Sequence, residues 1–169
     1  MKNIEINFND LILRTLELSD DLQNYLYWMS HPQNYEYIQS AKKSYSLANL
    51  QDFIESCNLS PNTILLGIFD TALHIHIGNI KYEYIDLANK TAVMGILIGE
   101  KSYRRRGIAK NVIEESAKWL NVNLSLQTIF SGVDQNNSAA IKIYSNIGFI
   151  PEKNQLQNGI KIRWDLNVK

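Results

Sequence analysis

Three consecutive arginines run into a glycine in Ser102-Tyr103-Arg104-Arg105-Arg106-Gly107-Ile108-Ala109, between an apolar run, Thr91 to Ile98, and an amphipathic stretch, Ala109 to Leu120. Such a turn opening a helix suits a pyrophosphate. The free N–H groups of a helix N-terminus and the positive end of its dipole both favour an anion. Glycine lets the backbone approach that anion closely, and each guanidinium presents forked donors that match phosphate oxygens. The competing reading is a solvated basic surface at a helix start. A second segment, Asn137-Ser138-Ala139-Ala140-Ile141-Lys142-Ile143-Tyr144-Ser145-Asn146-Ile147-Gly148-Phe149, follows the β-like run Thr128 to Val133. It reads as a helix capped by Asn136 or Asn137 and stopped at Gly148, with Phe149 folding back on the last turn.

Together the two segments carry a resemblance. Arg104-x-x-Gly107-x-Ala109 resembles the acyl-CoA loop of the GNAT superfamily of N-acetyltransferases, and Asn137 to Phe149 resembles that superfamily's later Asn…Tyr-x-x-x-Gly-Phe element. The resemblance covers roughly Leu11 to Leu166. It implies acetyl-CoA as co-substrate, with Arg104, Arg105, Arg106, Gly107, Ile108 and Ala109 around the pyrophosphate. By the same resemblance, the strand Val93 to Ile98 splays from its neighbour and exposes backbone groups to pantetheine. Its N–H groups near Leu97, Ile98 and Gly99 polarise the thioester carbonyl. Tyr144 matches the family tyrosine that protonates the coenzyme A sulfur; the alternative is a core tyrosine seven residues after the helix cap. Asn137 either holds cofactor or an ordered water or only caps its helix, and these roles can coexist.

Acetyl transfer from a thioester to an amine needs a neutral amine near the carbonyl carbon, a donor for the developing oxyanion and a proton for the thiolate. The base is where this chain departs from the pattern. Relatives often carry Glu in a phrase resembling Ala-Glu-Ile-Gly, whereas this chain reads Ala92-Val93-Met94-Gly95, and Val93 takes no proton. Glu100 just beyond that strand, Glu83 at the end of the preceding one, and Asp134 remain as candidates, each with an ordinary surface carboxylate as its alternative. Glu100 joins Tyr144 as the expected catalytic pair. An acceptor that arrives neutral needs no dedicated base.

The elements that must position these groups follow from periodicity. Leu11 to Leu16 predicts a first strand, then Ser19 caps a helix with Asp20 and Asp21 in its first turn, running to Met29 and ended by His31-Pro32. A second helix starts at Ser46, with Leu47, Leu50, Ile54 and Cys57 along one face, and stops before Pro61. Gln33 to Tyr45 between them is an aperiodic loop long enough to shape a pocket. Strands follow at Thr63 to Phe69, Leu73 to Tyr84 and Thr91 to Ile98, with links short enough for antiparallel hairpins. Val93 to Ile98 is apolar on both faces, as in a central strand covered on both sides, and Gly95 within it suggests a bulge or close approach. The helix from Ala109 buries Val112, Ile113, Ser116, Ala117 and Leu120, with Glu114–Lys118 as an outward pair. Asn158-Gly159 makes a hairpin turn before Ile160 to Val168. The expected fold is α+β, a three-layer α/β/α sandwich whose mixed, mostly antiparallel sheet is flanked by helices, in one domain spanning 1–169.

Composition bounds the partners. At 169 residues, 45% hydrophobic and 20% charged, the chain has the make-up of a soluble globule. Seventeen basic residues balance seventeen acidic ones, so no net charge draws the protein to nucleic acid or an anionic membrane. One cysteine, Cys57, excludes an intramolecular disulfide and suits a reducing compartment; with no signal peptide or apolar span, a cytoplasmic monomer or homodimer is expected. His74-x-His76 puts two imidazoles on one face of a strand but lacks a third ligand, so no metal is expected, and Cys57 reads as packing rather than nucleophile. Neither Gly-x-Gly-x-x-Gly nor a phosphate-binding Gly-x-x-x-x-Gly-Lys-Ser/Thr loop is present.

The first half must set acceptor choice. Tyr25, Trp28, Tyr35, Tyr37 and Tyr45, with His31 and Glu36 among them, make it aromatic. Asn24 to Pro32 and His76 to Ile80 resemble the branch that holds ribosomal-protein N-terminal acetyltransferases and bacterial amino-sugar N-acetyltransferases. The expected acceptor is therefore a small-molecule or peptide amine, an amino sugar nucleotide ahead of a protein N-terminus. A CoA-binding sensory module without turnover is the alternative of a different class.

Overall fold

The computed structural model describes residues 3–30, 46–153 and 159–166. The loop from Gln33 to Tyr45 and Asn158 of the expected hairpin turn lie outside the described residues. In chain order the elements are β1 (Glu5–Phe8), β2 (Leu11–Thr15), α1 (Gln23–Ser30), α2 (Leu47–Leu59), β3 (Ile64–Asp70), β4 (Ile75–Asp86) and β5 (Thr91–Ile98). A 3-10 turn (Lys101–Tyr103) is followed by α3 (Ile108–Leu124), β6 (Thr128–Val133), α4 (Ser138–Ile147), β7 (Ile150–Pro151) and β8 (Ile160–Asp165). The strands form one sheet in the order β1-β2-β3-β4-β5-β6-β8-β7. Every neighbouring pair is antiparallel except β5 with β6, which is parallel.

Alternation along the strands divides the core between two faces. On one face Leu13, Leu66, Ile80, Tyr82 and Met94 pack against Val112, Ile113, Ala117 and Leu120 of α3, with α4 beside it. On the other, Leu16 and Leu65 pack under α1 and α2 through Tyr25, Trp28, Leu50, Ile54 and Cys57. The result is the expected three-layer α+β sandwich.

Several local expectations change. β1 was not anticipated, although Ile4, Ile6 and Phe8 alternate with Glu5 and Asn7, and Asn9 at φ +49° makes the turn into β2. Helix α1 begins at Gln23, not after Ser19. Asp20 is instead drawn back to Arg14, whose Nη1 donates to Oδ2 at 2.9 Å, while Asp21 Oδ1 accepts from Gln23 N at 3.0 Å. Helix α2 starts where expected, with Ser46 Oγ accepting from Asn49 N at 3.1 Å in a capping box. Gly95 is neither bulged nor crowded. It pairs regularly with Lys81, the shifts in register fall at Ile68/Phe69 and Glu83/Asp86, and a Cβ on Gly95 would meet nothing within 4 Å. The ion pair on the outer face of α3 is Lys110–Glu114 at 3.7 Å, a turn earlier than Glu114–Lys118. His74 and His76 do not share a face: His74 is exposed in the turn before β4 at φ +54°, whereas His76 is buried and stacked on Phe69. Among the described residues no helix is long and apolar enough to cross a membrane.

Candidate active site

The sheet forks at its centre. β5 and β6 pair only from Thr91↔Thr128 to Met94↔Ser131, and beyond that β6 continues on β8 alone through Gly132↔Lys161 and Val133↔Ile160. The peptide groups of Gly95–Ile98 on that side therefore face an opening. Strand alternation says which ones. Met94 O points toward β6, where it accepts from Ser131 Oγ at 3.0 Å, while Gly99 N points the opposite way and donates to Ile77 O at 3.0 Å. Every second peptide shares a direction, so those of Ile96 and Ile98 line the fork, and those of Leu97 and Gly99 face β4. Of the three expected carbonyl polarisers, Leu97, Ile98 and Gly99, only Ile98 is so oriented, and Ile96 shares its direction, a one-residue parity that cannot be read without the register.

The arginine turn sits at the end of β5 and divides its labour. Arg104 does not reach outward: Nε donates to Ile98 O and Nη2 to Gly99 O, both at 2.8 Å, stapling the turn to the strand. Tyr103 Oη donates to Asp70 at 2.8 Å and carries the Arg106 guanidinium 5.1 Å above its ring, anchoring the turn to β3. Arg105 at φ +62° and Gly107 at φ +77° are both left-handed, and Gly107 is the N-cap of α3 without a side-chain cap bond. Arg105, Arg106 and Gly107 are exposed, while Ile108 and Ala109 are half-buried in the first turn of the helix. The free amides of that turn thus stand beside two exposed guanidinium groups, a donor set suited to a diphosphate.

Tyr144 reaches the fork from below. It is 8% exposed, its ring lies 5.2 Å from Phe149, and its hydroxyl interacts with Ser131, the residue bonded to the last paired carbonyl before the strands part. Burial pushes the phenol above its ordinary value, with the Ser131 bond opposing, so the hydroxyl keeps its proton at neutral pH. α4 is fixed at both ends. Asn137 Oδ1 accepts from Ala140 N at 3.0 Å, and beyond Gly148 at φ +112° Phe149 N donates back to Tyr144 O at 2.9 Å. The capping reading of Asn137 thus holds. Glu100 is not brought to Tyr144 by any described contact; it caps the 3-10 turn, accepting from Ser102 N at 3.2 Å and Ser102 Oγ at 3.0 Å.

The opposite face of the fork, beneath α1 and α2, shows residues that sequence reasoning did not gather. Cross-strand partners share a face, so Lys81 stands opposite Gly95 and Glu83 opposite Val93. Across the opening Lys161 stands opposite Gly132, its Nζ 4.8 Å above the Phe130 ring. Exposed Gly95 leaves a notch between these cations. Tyr25 and Trp28, among the aromatics that make the first half a candidate acceptor region, belong to the core: Trp28 is 2% exposed and pressed on Gly99, where a Cβ would come within 1.9 Å of its ring. Tyr35, Tyr37, Tyr45, His31 and Glu36 lie outside the described residues.

A family model described as an acetyltransferase (GNAT) domain matches residues 10–150. Among solved structures, the spermidine N-acetyltransferase from Vibrio cholerae in complex with CoA and spermine is similar at 19% identity and TM-score 0.81, over 93% of this chain and 96% of that one. The ribosomal-protein-S5-alanine acetyltransferase from Vibrio fischeri is similar at 15% identity and TM-score 0.80, over 98% of each chain. The microcin C7 self-immunity acetyltransferase MccE, in complex with acetyl-CoA and AMP, is similar at 16% identity and TM-score 0.79, over 94% of this chain and 93% of that one. No curated protein matches the sequence.

Proposed function

The chain belongs to the GNAT acetyltransferase family, and from that premise we propose that its 169 residues form one catalytic domain whose β5–β6 fork holds the thioester of acetyl-CoA for attack by an amine. It is an N-acetyltransferase with acetyl-CoA as donor, which supplies the activated acetyl group. The observation that carries the site reading is the β5–β6 ladder, which stops at Met94↔Ser131 with Tyr144 beneath it. Ile96 and Ile98 N–H groups polarise the carbonyl, and Tyr144 Oη gives its proton to the departing sulfur. The N-terminal amides of α3 at Ile108 and Ala109, with Arg105 and Arg106, take the pyrophosphate. Arg104 positions that turn rather than binding.

The acceptor is a primary amine carried by an anionic small molecule, an amino sugar nucleotide. Support comes from the notch at Gly95, which Lys81 flanks on β4 and Lys161 on β8. Lys81 is paired with Glu83, so Lys161 supplies the positive charge beside the opening that attracts nucleotide phosphates, whereas the spermidine acetyltransferase neighbour acts on a polyamine. The test is thiol release from acetyl-CoA with a UDP-linked 4-amino sugar, spermidine and an alanine-initiated peptide. We expect the highest kcat/KM for the sugar nucleotide. A higher value for the peptide, the acceptor type of the ribosomal-protein neighbour, would reject the sugar and leave amine acetylation standing.

A further inference from the structure

The family glutamate is missing at Val93, and the sheet register shows what stands in its place. Glu83 on β4 is the residue paired with Val93, on the same face, at the ~5.5 Å Cα separation typical of a hydrogen-bonded antiparallel pair. Its carboxylate is tied along the strand to Lys81, whose Nζ donates to Oε2 at 2.7 Å and lies 5.6 Å from the Phe53 ring of α2, while Lys81 itself is opposite Gly95. Both side chains remain partly open to solvent, 28% for Lys81 and 35% for Glu83. Among the described residues the titratable group facing the pair is Cys57 of α2, whose buried thiol is raised and stays neutral, while Val93 brings no charge. The other two carboxylates considered do not stand opposite Val93 and serve their own turns. Glu100 is bonded to Ser102, and Asp134 Oδ1 accepts from Asn136 N at 2.8 Å.

We infer that Glu83 is the general base, a carboxylate moved one strand sideways from the position the family usually uses. This rests on the β5–β6 fork being the acetyl-transfer site. Acceptor and donor then approach the fork from opposite faces of the sheet. The ammonium of the acceptor gives a proton to the Glu83 carboxylate, directly or through one water, and Glu83 later releases it to solvent. The freed nitrogen pair forms a bond to the thioester carbonyl carbon, the carbon–sulfur bond breaks, and sulfur takes the Tyr144 proton. Tyr144 regains a proton from the nitrogen as it becomes an amide. Lys81 keeps the carboxylate oriented between turnovers.

Glu83→Gln, Glu83→Gln/Val93→Glu, Glu100→Gln and Tyr144→Phe test the assignment with whichever panel amine the parent acetylates fastest. Melting temperature and acetyl-CoA affinity by calorimetry are measured for each, so that loss of fold or cofactor site is seen separately. Glu83→Gln should lower kcat/KM by ~10²-fold, the low end for a general base, while Glu100→Gln stays within about threefold. The double variant returns a carboxylate to the same face from the neighbouring strand and should recover at least about tenfold. Activity of Glu83→Gln within about twofold of the parent, or a loss that Val93→Glu does not relieve, overturns the assignment. If Tyr144→Phe is crippled in that case, the fork remains the site with another base; if both variants keep full activity, the fork reading falls as well.

Discussion

Replacing Tyr144 by Phe removes one oxygen and little else. The ring stays 5.2 Å from Phe149 at the end of α4, and the buried hydroxyl is bonded to Ser131, with the Tyr82 phenol nearby. A neutral hydrogen bond of this kind contributes about 1 kcal/mol net. For a domain of this size that is a fall in melting temperature of roughly 2–4 °C. The catalytic loss should be much larger. A positioned general acid contributes ~10²-fold or more, so the barrier rises by roughly 2.7 kcal/mol. Because burial raises the Tyr144 phenol above its usual value, the parent's acid stays protonated through neutral pH, and the deficit should be constant there. Thiol release under chemistry-limited conditions gives kcat, and calorimetry gives acetyl-CoA affinity, which should be nearly unchanged. Equal turnover in variant and parent would refute the acid role and make Tyr144 a core residue.

Three further outcomes are expected. Gly107→Val forces a β-branched residue into φ +77°, costing about 1–2 kcal/mol in backbone conformation, and sets a side chain beside the first amides of α3; unchanged acetyl-CoA affinity by calorimetry would remove the turn from the cofactor site. Gly99→Ala should lower the melting temperature by several degrees, since its Cβ would lie 1.9 Å from the Trp28 ring, and a parent-like melt would show that α1 shifts freely. Burial lowers the pKa of His76 below 6.5, with Asn79 and Gly78 bonds and nearby Asp20 opposing and Arg14 reinforcing it. The unfolded chain thus takes up a proton first as pH falls, so this contribution is complete above pH 6.5 and declines toward the lower folded value. The melting temperature should drop on acidification, with a shallower slope in His76→Gln; parallel slopes would refute it.

What the sequence disclosed depended on how local the signal was. Ser46 with its box partner Asn49, Asn137 capping α4 and Gly148 ending it are decisions made within a few residues, and each sits where its side chain predicts. Gly107 was legible as special but for an incomplete reason. No neighbour crowds it; its left-handed φ is what requires glycine. Asp20 shows the opposite case, in which a residue with sound first-turn chemistry was captured by Arg14 across a strand end, and tertiary pairing overrode the local preference. Arg104 shows the same competition: a guanidinium whose local phrase points to phosphate also bonds two carbonyls of its own chain. Glu83 was legible as a candidate carboxylate at the end of its strand, but its place opposite Val93, with Lys81 opposite Gly95, lies in the register, which no spacing along one strand encodes.

The fork itself is held open by the protein's own contacts. A parallel pair such as β5–β6 would gain hydrogen bonds by zipping further, so something must hold β5 away from β6. Gly99 N and Glu100 N both donate to Ile77 O, drawing the end of β5 onto β4, and Trp28 fills the space over Gly99 so that this end is clamped from the α1 side. Arg104 then occupies the Ile98 and Gly99 carbonyls. On the other bank, β6 is committed to β8 through Val133↔Ile160. Under the proposed acetyl-transfer role, pre-organisation of this kind lets a bound thioester meet donors already aimed, with no strand to separate first. On the proposed reading Arg104 serves as a staple: its bonds to Ile98 O and Gly99 O tie the turn offered to the pyrophosphate to the strand offered to the thioester, so the two ends of a long cofactor are kept in register by the strand that lies between them.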